Sequence, residues 1–452
     1  MTASTAVVEP RESAVFHRFL DLAYPVVERG EGVWLYLSDG TQLLDGSSGG
    51  AMVACLGHGD RAVVDAAAAQ TERIGYVYNH HFTNEAQERF ADRLLETVVP
   101  EMARVRFVSG GSEANETALR LMRQYHVDRG DPGRWRIVSP AQAYHGSTFA
   151  ALSLTGRPKS LQSPYGEYLP AHVHIPPATP RHDPTGERAL EELDRVLEQA
   201  GPETVAAFLC EPVSAAALPA YSPPERFWQG LEERRREHGF LVVFDEIVTG
   251  MGRTGSWYAY QQLPLQPDVV TGGKGLGAGY VPLAACFCTD EVYEALARGS
   301  REFEHGHTWD GAPLPCAVGL AVVDRFEELG LVERVRERGP SLRDELEEAL
   351  RGNELVGEVR GRGYLLGVEL VDPRDRTSFL PADLHASELV DDVAFEHGVL
   401  VSSSHSTPDG YAGDQTLLAP ALTSTDDELA EMLARFADAL ADVERRVAER
   451  LA

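Results

Sequence analysis

Lysine is nearly missing from this 452-residue chain: of 41 basic side chains only Lys159 and Lys274 are lysines, and the rest are arginines. A GC-rich coding bias that places arginine wherever a generic cation serves would explain the deficit. It also makes the two survivors conspicuous, because a guanidinium neither deprotonates nor forms a Schiff base, whereas a lysine amine of lowered pKa does both. Positive charge is scarce overall. Acids outnumber bases, 41 − 70 = −29, which argues against a nucleic-acid or anionic-membrane partner. Cysteine is scarce too: Cys55, Cys210, Cys286, Cys288 and Cys316 are odd in number, lie mostly in apolar stretches and include no Cys-x-x-Cys. That excludes a disulfide framework or a cysteine zinc site and suits a reducing compartment. No stretch approaches the run of about eighteen apolar residues that a membrane helix needs, and Met1 to Ser13 lacks the pattern of a signal peptide. The expectation is a soluble cytoplasmic protein of ordinary globular composition, with length for two or three domains or one large α/β unit.

Short apolar or β-branched runs alternate with helical segments: Arg104–Val108, Arg136–Ser139, Val205–Leu209, Phe240–Phe244, Val269–Thr271 and Pro282–Phe287. Such alternation predicts a mostly parallel sheet covered by helices on both faces. Between Gly156 and Gly186 the chain is rich in Pro, Ser and His, which reads as a long surface loop. After Gly311 come two helical patterns (Pro313 to Leu329, Leu331 to Leu350) and strand-like runs at Val356–Val359, Tyr364–Val371 and Thr416–Ala419. A final amphipathic helix follows from about Asp426 to Leu451, starting at a Ser424-Thr-Asp-Asp cap signal. The expected division is an N-terminal segment (1–60, with a hairpin at Trp34 to Asp45) contributing to a small domain, a large domain (61–310) and a C-terminal small domain (311–452).

Four segments carry chemistry. Lys159 lies in a polar turn, Arg157-Pro-Lys-Ser160, and reads as a surface residue. Lys274, in Thr271-Gly-Gly-Lys-Gly-Leu-Gly-Ala-Gly279, has no such explanation. Phe107-Val-Ser-Gly-Gly-Ser-Glu-Ala-Asn-Glu-Thr-Ala118 describes a strand, a Gly-rich turn and a helix beginning near Ser112. This suits either an anion cradled by free backbone N–H groups or an ordinary capped helix start. Tyr144-His-Gly follows a strand, at the end where open α/β sheets bind ligands, and offers either a stacking aromatic or a packed loop. Phe240-Leu-Val-Val-Phe drives into Asp245-Glu246, where a buried carboxylate needs a compensating cation; a cap or a metal ligand is the other reading, and no His or Asp cluster supports a metal. Together, a Schiff-base lysine, a phosphate cradle, a stacking aromatic and a buried aspartate meet the needs of one cofactor, pyridoxal 5′-phosphate.

These residues resemble the class III (ω-amino acid type) aminotransferases of fold type I. The resemblance runs through Leu44-Asp-Gly, Leu56-Gly-His-Gly, Gly111-Ser-Glu-Ala, Tyr144-His-Gly, Glu211-Pro-Val, Asp245-Glu-Ile-Val-Thr-Gly-Met-Gly-Arg-Thr-Gly, Lys274-Gly-Leu-Gly-Ala-Gly-Tyr, His307-Thr-Trp and Val359-Arg-Gly-Arg-Gly. It implies an α/β fold: a large domain with a mostly parallel seven-stranded sheet flanked by helices, plus a smaller α+β domain. It also implies site roles. Lys274 holds the cofactor as a Schiff base, and Asp245 pairs with the pyridinium nitrogen. Ile247 and Tyr144 sandwich the ring, with His145 beside it; Gly111 and Ser112 bind the phosphate, and Thr308 reaches it from the other subunit of a homodimer with shared active sites. Glu211 matches an acid beside the substrate. No metal is expected. The partners implied are a small-molecule amino donor and a carbonyl acceptor.

The chain departs from the family pattern on the substrate side. Thr308 is followed by Trp309-Asp-Gly-Ala rather than Tyr-Ser-Gly-His, Glu211-Pro-Val by Ser214-Ala-Ala-Ala, and Gly398 to Leu422 contains no arginine where many members place one for a substrate carboxylate. The expected activity is ping-pong amino transfer between an amine or amino acid and an aldehyde or keto acid, with at least one half-reaction using a substrate that lacks a carboxylate. A decarboxylase, epimerase or aminomutase on the same fold is the alternative, and a non-catalytic cofactor-binding protein a more distant one.

Overall fold

The computed structural model describes residues 7–156, 164–179, 181–407 and 410–451, so Lys159 lies outside the described residues. Its centre is a seven-stranded sheet in the order Arg104–Val108, Ala284–Cys288, Val269–Gly272, Leu241–Glu246, Val205–Cys210, Arg136–Pro140, Val173–Ile175. Ala284–Cys288 runs antiparallel to both its neighbours, and every other pairing is parallel. The inner strands Val205–Cys210, Leu241–Glu246 and Val269–Gly272 are buried at every residue, the mark of strands covered on both faces. The covering helices bury one stripe each. In Glu187–Ala200 the buried residues Ala189, Leu190, Leu193, Val196 and Leu197 recur at helical spacing.

The seventh strand corrects the reading of 156–186 as a loop throughout. Val173–Ile175 pairs in parallel with Val138–Pro140 at the sheet edge. Three residues with a central histidine give too short a pattern to stand out from the Pro- and Ser-rich sequence around them. The final helix runs from Asp426 to Leu451, and within the Ser424-Thr-Asp-Asp signal Thr425 is the cap: the Thr425 hydroxyl accepts from the Glu428 N–H, and the Glu428 carboxylate accepts from the Thr425 N–H.

Beyond the sheet, Val356–Arg362, Leu365–Leu370, Gln415–Leu418 and Ser402–Ser404 form an antiparallel sheet. The N-terminal meander Val27–Glu31, Trp34–Leu37, Gln42–Asp45 is completed by Val399–Leu400, which pairs in parallel with Leu44 and Asp45. The beginning of the chain is thus hydrogen-bonded into its last quarter, with the Leu44 N–H donating to Gly398 C=O and the Ala419 N–H to Gly46 C=O. Among the described residues no helix is long and apolar enough to cross a membrane, and no three His, Cys, Asp or Glu side chains group as metal ligands.

Candidate active site

Five parallel strands deliver side chains from their C-terminal ends into one cavity of about 260 Å³. Arg104–Val108 leads to Gly110, Gly111 and Ser112; Arg136–Pro140 to Tyr144 and His145; Val205–Cys210 to Glu211; Leu241–Glu246 supplies Asp245 and leads to Ile247; Val269–Gly272 leads to Lys274. The antiparallel strand closes the rim with Val281, Pro282 and Leu283 just before it begins. This is the end of an open α/β sheet where ligands bind.

Asp245 is 5 % exposed and forms the most completely bonded group of the site. Its Oδ2 accepts from Asn115 Nδ2 at 2.7 Å and from His145 Nδ1 at 2.8 Å, and its Oδ1 accepts from the Ile247 N–H at 3.1 Å. Burial pushes its pKa up, but the His145 hydrogen bond and charge, with Asn115 and the Ile247 N–H, outweigh that and leave it below the ordinary carboxylate value. Asn115 is itself fixed, donating also to the His145 C=O at 2.7 Å and accepting from the Thr271 hydroxyl at 3.0 Å. His145 therefore acts from beneath: its side chain is wholly buried and its Nδ1 is committed to Asp245.

Lys274 shares that cavity and stands in a left-handed backbone conformation, φ +43°, between Gly273 and Gly275. Burial lowers its amine pKa, opposed chiefly by the negative charges of Asp245 and Glu211. The glycines beside it are required by contact: a Cβ on Gly273 would meet Ile247 Cδ1 at 3.0 Å, and one on Gly275 would meet Cys55 Sγ at 2.9 Å. Ile247 also fills the space in front of Gly111, where a Cβ would come within 3.1 Å of it.

The helix Gly111–Asp128 begins against the cavity with Gly110 as its N-cap and no side-chain cap, so its first N–H groups are left for a ligand. Ser112 does not cap it; its hydroxyl accepts from the Ser147 N–H at 3.0 Å and ties the Tyr144–Ser147 turn to the helix. Tyr144 is 38 % exposed at the mouth. Glu211 is held by backbone, accepting from the Tyr144 N–H at 3.2 Å and the Ala215 N–H at 3.3 Å, and its pKa is raised chiefly by burial.

The cavity thus brings together Gly111, Ser112, Tyr144, His145, Glu211, Asp245, Ile247 and Lys274. It does not include Thr308, which is exposed, its C=O accepting from the Tyr76 hydroxyl at 3.0 Å. The Thr308 loop is built firmly nonetheless. Asp310 is 2 % exposed and accepts from Arg106 Nη2 at 2.7 Å and from the His307 N–H at 2.9 Å. Sequence reasoning missed Asn115. Its signal was a lone amide beside Ala114, on the stripe that Ala118, Leu121 and Met122 bury.

The donor set fits pyridoxal phosphate: an uncapped helix start for a phosphate, a buried ionised carboxylate for a ring nitrogen, and one lysine of lowered pKa between them. Comparison with known proteins agrees. The model of the aminotransferase class-III family matches residues 19–440. An uncharacterised aminotransferase of Bacillus subtilis, YodT, is 33 % identical over 95 % of this chain and 97 % of its own. Among solved structures, an (S)-enantioselective ω-transaminase from Thermomicrobium roseum is 35 % identical with a TM-score of 0.85 over 92 % of each chain. The ω-transaminase from Pseudomonas jessenii in complex with PMP, pyridoxamine phosphate, is 30 % identical with a TM-score of 0.87 over 94 % of each. The chain belongs to the class III aminotransferase family. It is an α/β, pyridoxal-phosphate-dependent transaminase that acts on a small-molecule amino donor and a carbonyl acceptor.

Proposed function

We propose that Lys274 is the residue that attaches the cofactor and moves the proton in this transaminase, with Asp245 holding the proton on the cofactor's ring nitrogen. The observation that carries this reading is the pairing, in one cavity, of a lysine whose pKa burial lowers with an aspartate kept ionised by His145 and Asn115. When bound, pyridoxal phosphate supplies a carbonyl that receives the amino group and a ring that takes up the electron pair of the breaking C–H bond. Lys274, freed as an amine, carries the proton between the substrate carbon and the cofactor carbon that bore the carbonyl, a task for which a lowered pKa suits it. Gly111 and Ser112 hold the phosphate at the helix start, while Ile247 and Tyr144 flank the ring. His145 acts through Asp245 by fixing its orientation and charge. Borohydride, which makes the lysine–cofactor link permanent, should label a single peptide containing Lys274. Label on Lys159, the one other lysine, would refute the assignment.

The working unit in this reading is a homodimer in which Thr308 reaches the phosphate of the partner's site. Its exposure, and the exposed aromatic surface of Tyr76, Tyr78, Phe82 and Trp309 around it, support a surface that a second copy covers. The small domain is taken as 1–60 with 311–452 around a large domain of 61–310, which the pairing of Val399–Leu400 with Leu44–Asp45 supports. The five unpaired buried cysteines fit a cytoplasmic setting. At least one half-reaction uses a substrate without a carboxylate, since among the described residues no arginine lines the cavity. Arg253 is wholly buried, donating to the Tyr364 C=O and the Ser48 hydroxyl, and is committed to structure.

A further inference from the structure

Glu211 is the acid of the cavity that is held by neutral donors alone and enters no ion pair among the described residues. The other, Asp245, is hydrogen-bonded to His145 Nδ1. Glu211 Oε2 accepts from the Tyr144 N–H at 3.2 Å and the Ser214 hydroxyl at 3.4 Å, and Oε1 accepts from the Ala215 N–H at 3.3 Å. These are long bonds from neutral donors, and Oε1 keeps room for a further one. Among the described residues Glu211 enters no ion pair, and the lining carries no arginine that could swing to it. The carboxylate is also rigid. It follows directly on the buried strand Val205–Cys210, precedes Pro212, and is fastened from both sides by the Tyr144 turn and the Ser214–Ala215 backbone.

A rigid, enclosed carboxylate that faces a substrate cavity and enters no ion pair, with Lys274 committed to the cofactor in the proposed reading, is a receptor for a cation that arrives with the ligand. We infer that Glu211 docks a second ammonium group of the amino donor, so that this enzyme takes an aliphatic diamine in preference to a monoamine or an ω-amino acid. The inference rests on the cavity around Lys274 being the transaminase centre. The reacting amine leaves its nitrogen on the cofactor and departs as an amino-aldehyde; the distal ammonium is a handle and is not consumed. An ω-amino acid would bring a carboxylate toward Glu211 and meet like charge, with no arginine among the described lining residues to relieve it. The raised pKa of Glu211, which burial causes, is in keeping with a carboxylate that lacks a counter-ion until one is supplied.

The test uses the whole enzyme loaded with pyridoxamine phosphate, a form that has no carbonyl and with which no amine can react. Calorimetry with 1,4-diaminobutane, n-butylamine and γ-aminobutyrate then reads noncovalent docking alone. The diamine should bind about tenfold or more tighter than butylamine, as a charge-assisted hydrogen bond allows, and Glu211→Gln should collapse that ratio. Equal binding of diamine and butylamine by the wild-type enzyme, or tighter binding of γ-aminobutyrate, overturns the inference whether or not the variant folds. A half-reaction with the pyridoxal form separates the underlying reading. Diamine binding without conversion of the cofactor by any donor would count against the Lys274 centre while leaving the docking role supported.

Discussion

Replacing Asp245 by asparagine keeps the size and shape of the side chain and removes its charge, and the surrounding bonds set what should follow. An amide oxygen can keep both donors now shared by Oδ2, Asn115 Nδ2 and His145 Nδ1, but its NH₂ then faces the Ile247 N–H that Oδ1 accepts. One buried N–H loses its acceptor, which costs about 1–3 kcal/mol of stability. The catalytic loss is larger. A unit charge at hydrogen-bond range from a protonated ring nitrogen contributes about 5 kcal/mol at an effective dielectric of roughly 20. With about 1.4 kcal/mol per decade of rate, and some compensation from His145 and water, the half-reaction should slow by roughly two to four decades. Single-turnover absorbance with a saturating amine measures this, and thermal melting under the same conditions checks that the fold survives. A folded, cofactor-loaded Asp245→Asn enzyme within about tenfold of the wild-type rate would refute the role given to this charge.

A mixture of inactive Lys274→Ala and inactive Thr308→Ala subunits should regain activity, because one hybrid site of each mixed dimer holds both intact residues; an active monomer in the ultracentrifuge would refute shared sites. Stability should depend on pH through Glu246, wholly buried, with its pKa pushed up by burial to about 7 from 4.5. Because the folded state holds this proton more tightly than the unfolded one, its stabilising effect is complete below about pH 4.5 and lost as pH rises through about 7. Asp268 and Asp391, both raised by burial to about 6, act with the same sign. Glu246→Gln should therefore flatten the fall in melting temperature between pH 5 and 8, and an unchanged slope would show that Glu246 does not titrate there.

The sheet and the site differed in how much of themselves they wrote into the sequence. Strands such as Val205–Cys210 are continuous apolar runs because both faces are covered, so they stand out without any knowledge of their neighbours. Lys274 stood out for a different reason, the rarity of lysine in this chain. The edge strand Val173–Ile175 was too short and too polar in its surroundings to show a period. The pairing of Val399–Leu400 with Gln42–Asp45 joins segments some 350 residues apart, and no local pattern encodes it. Within the site, Asp245 was legible as an acid ending a buried strand, whereas the network beneath it was not. Asn115, Thr271 and the inward commitment of His145 depend on three segments meeting, which only the folded chain brings about. Thr308 carried a family resemblance and no physical signal of its own.

The left-handed backbone at Lys274 bears on how this protein could be engineered. A side-chain-bearing residue held at φ +43° is strained by about 1–3 kcal/mol, and glycine or asparagine would relieve that strain in place. A campaign for thermostability that ranked positions by backbone fit would therefore favour removing the side chain proposed to carry amino transfer. The same reasoning complicates the usual inactive control: Lys274→Ala keeps the unfavourable backbone while discarding the amine, whereas Lys274→Gly should melt higher than Lys274→Ala. Selection for heat resistance and selection for turnover pull in opposite directions at this residue, as expected of a strained functional site.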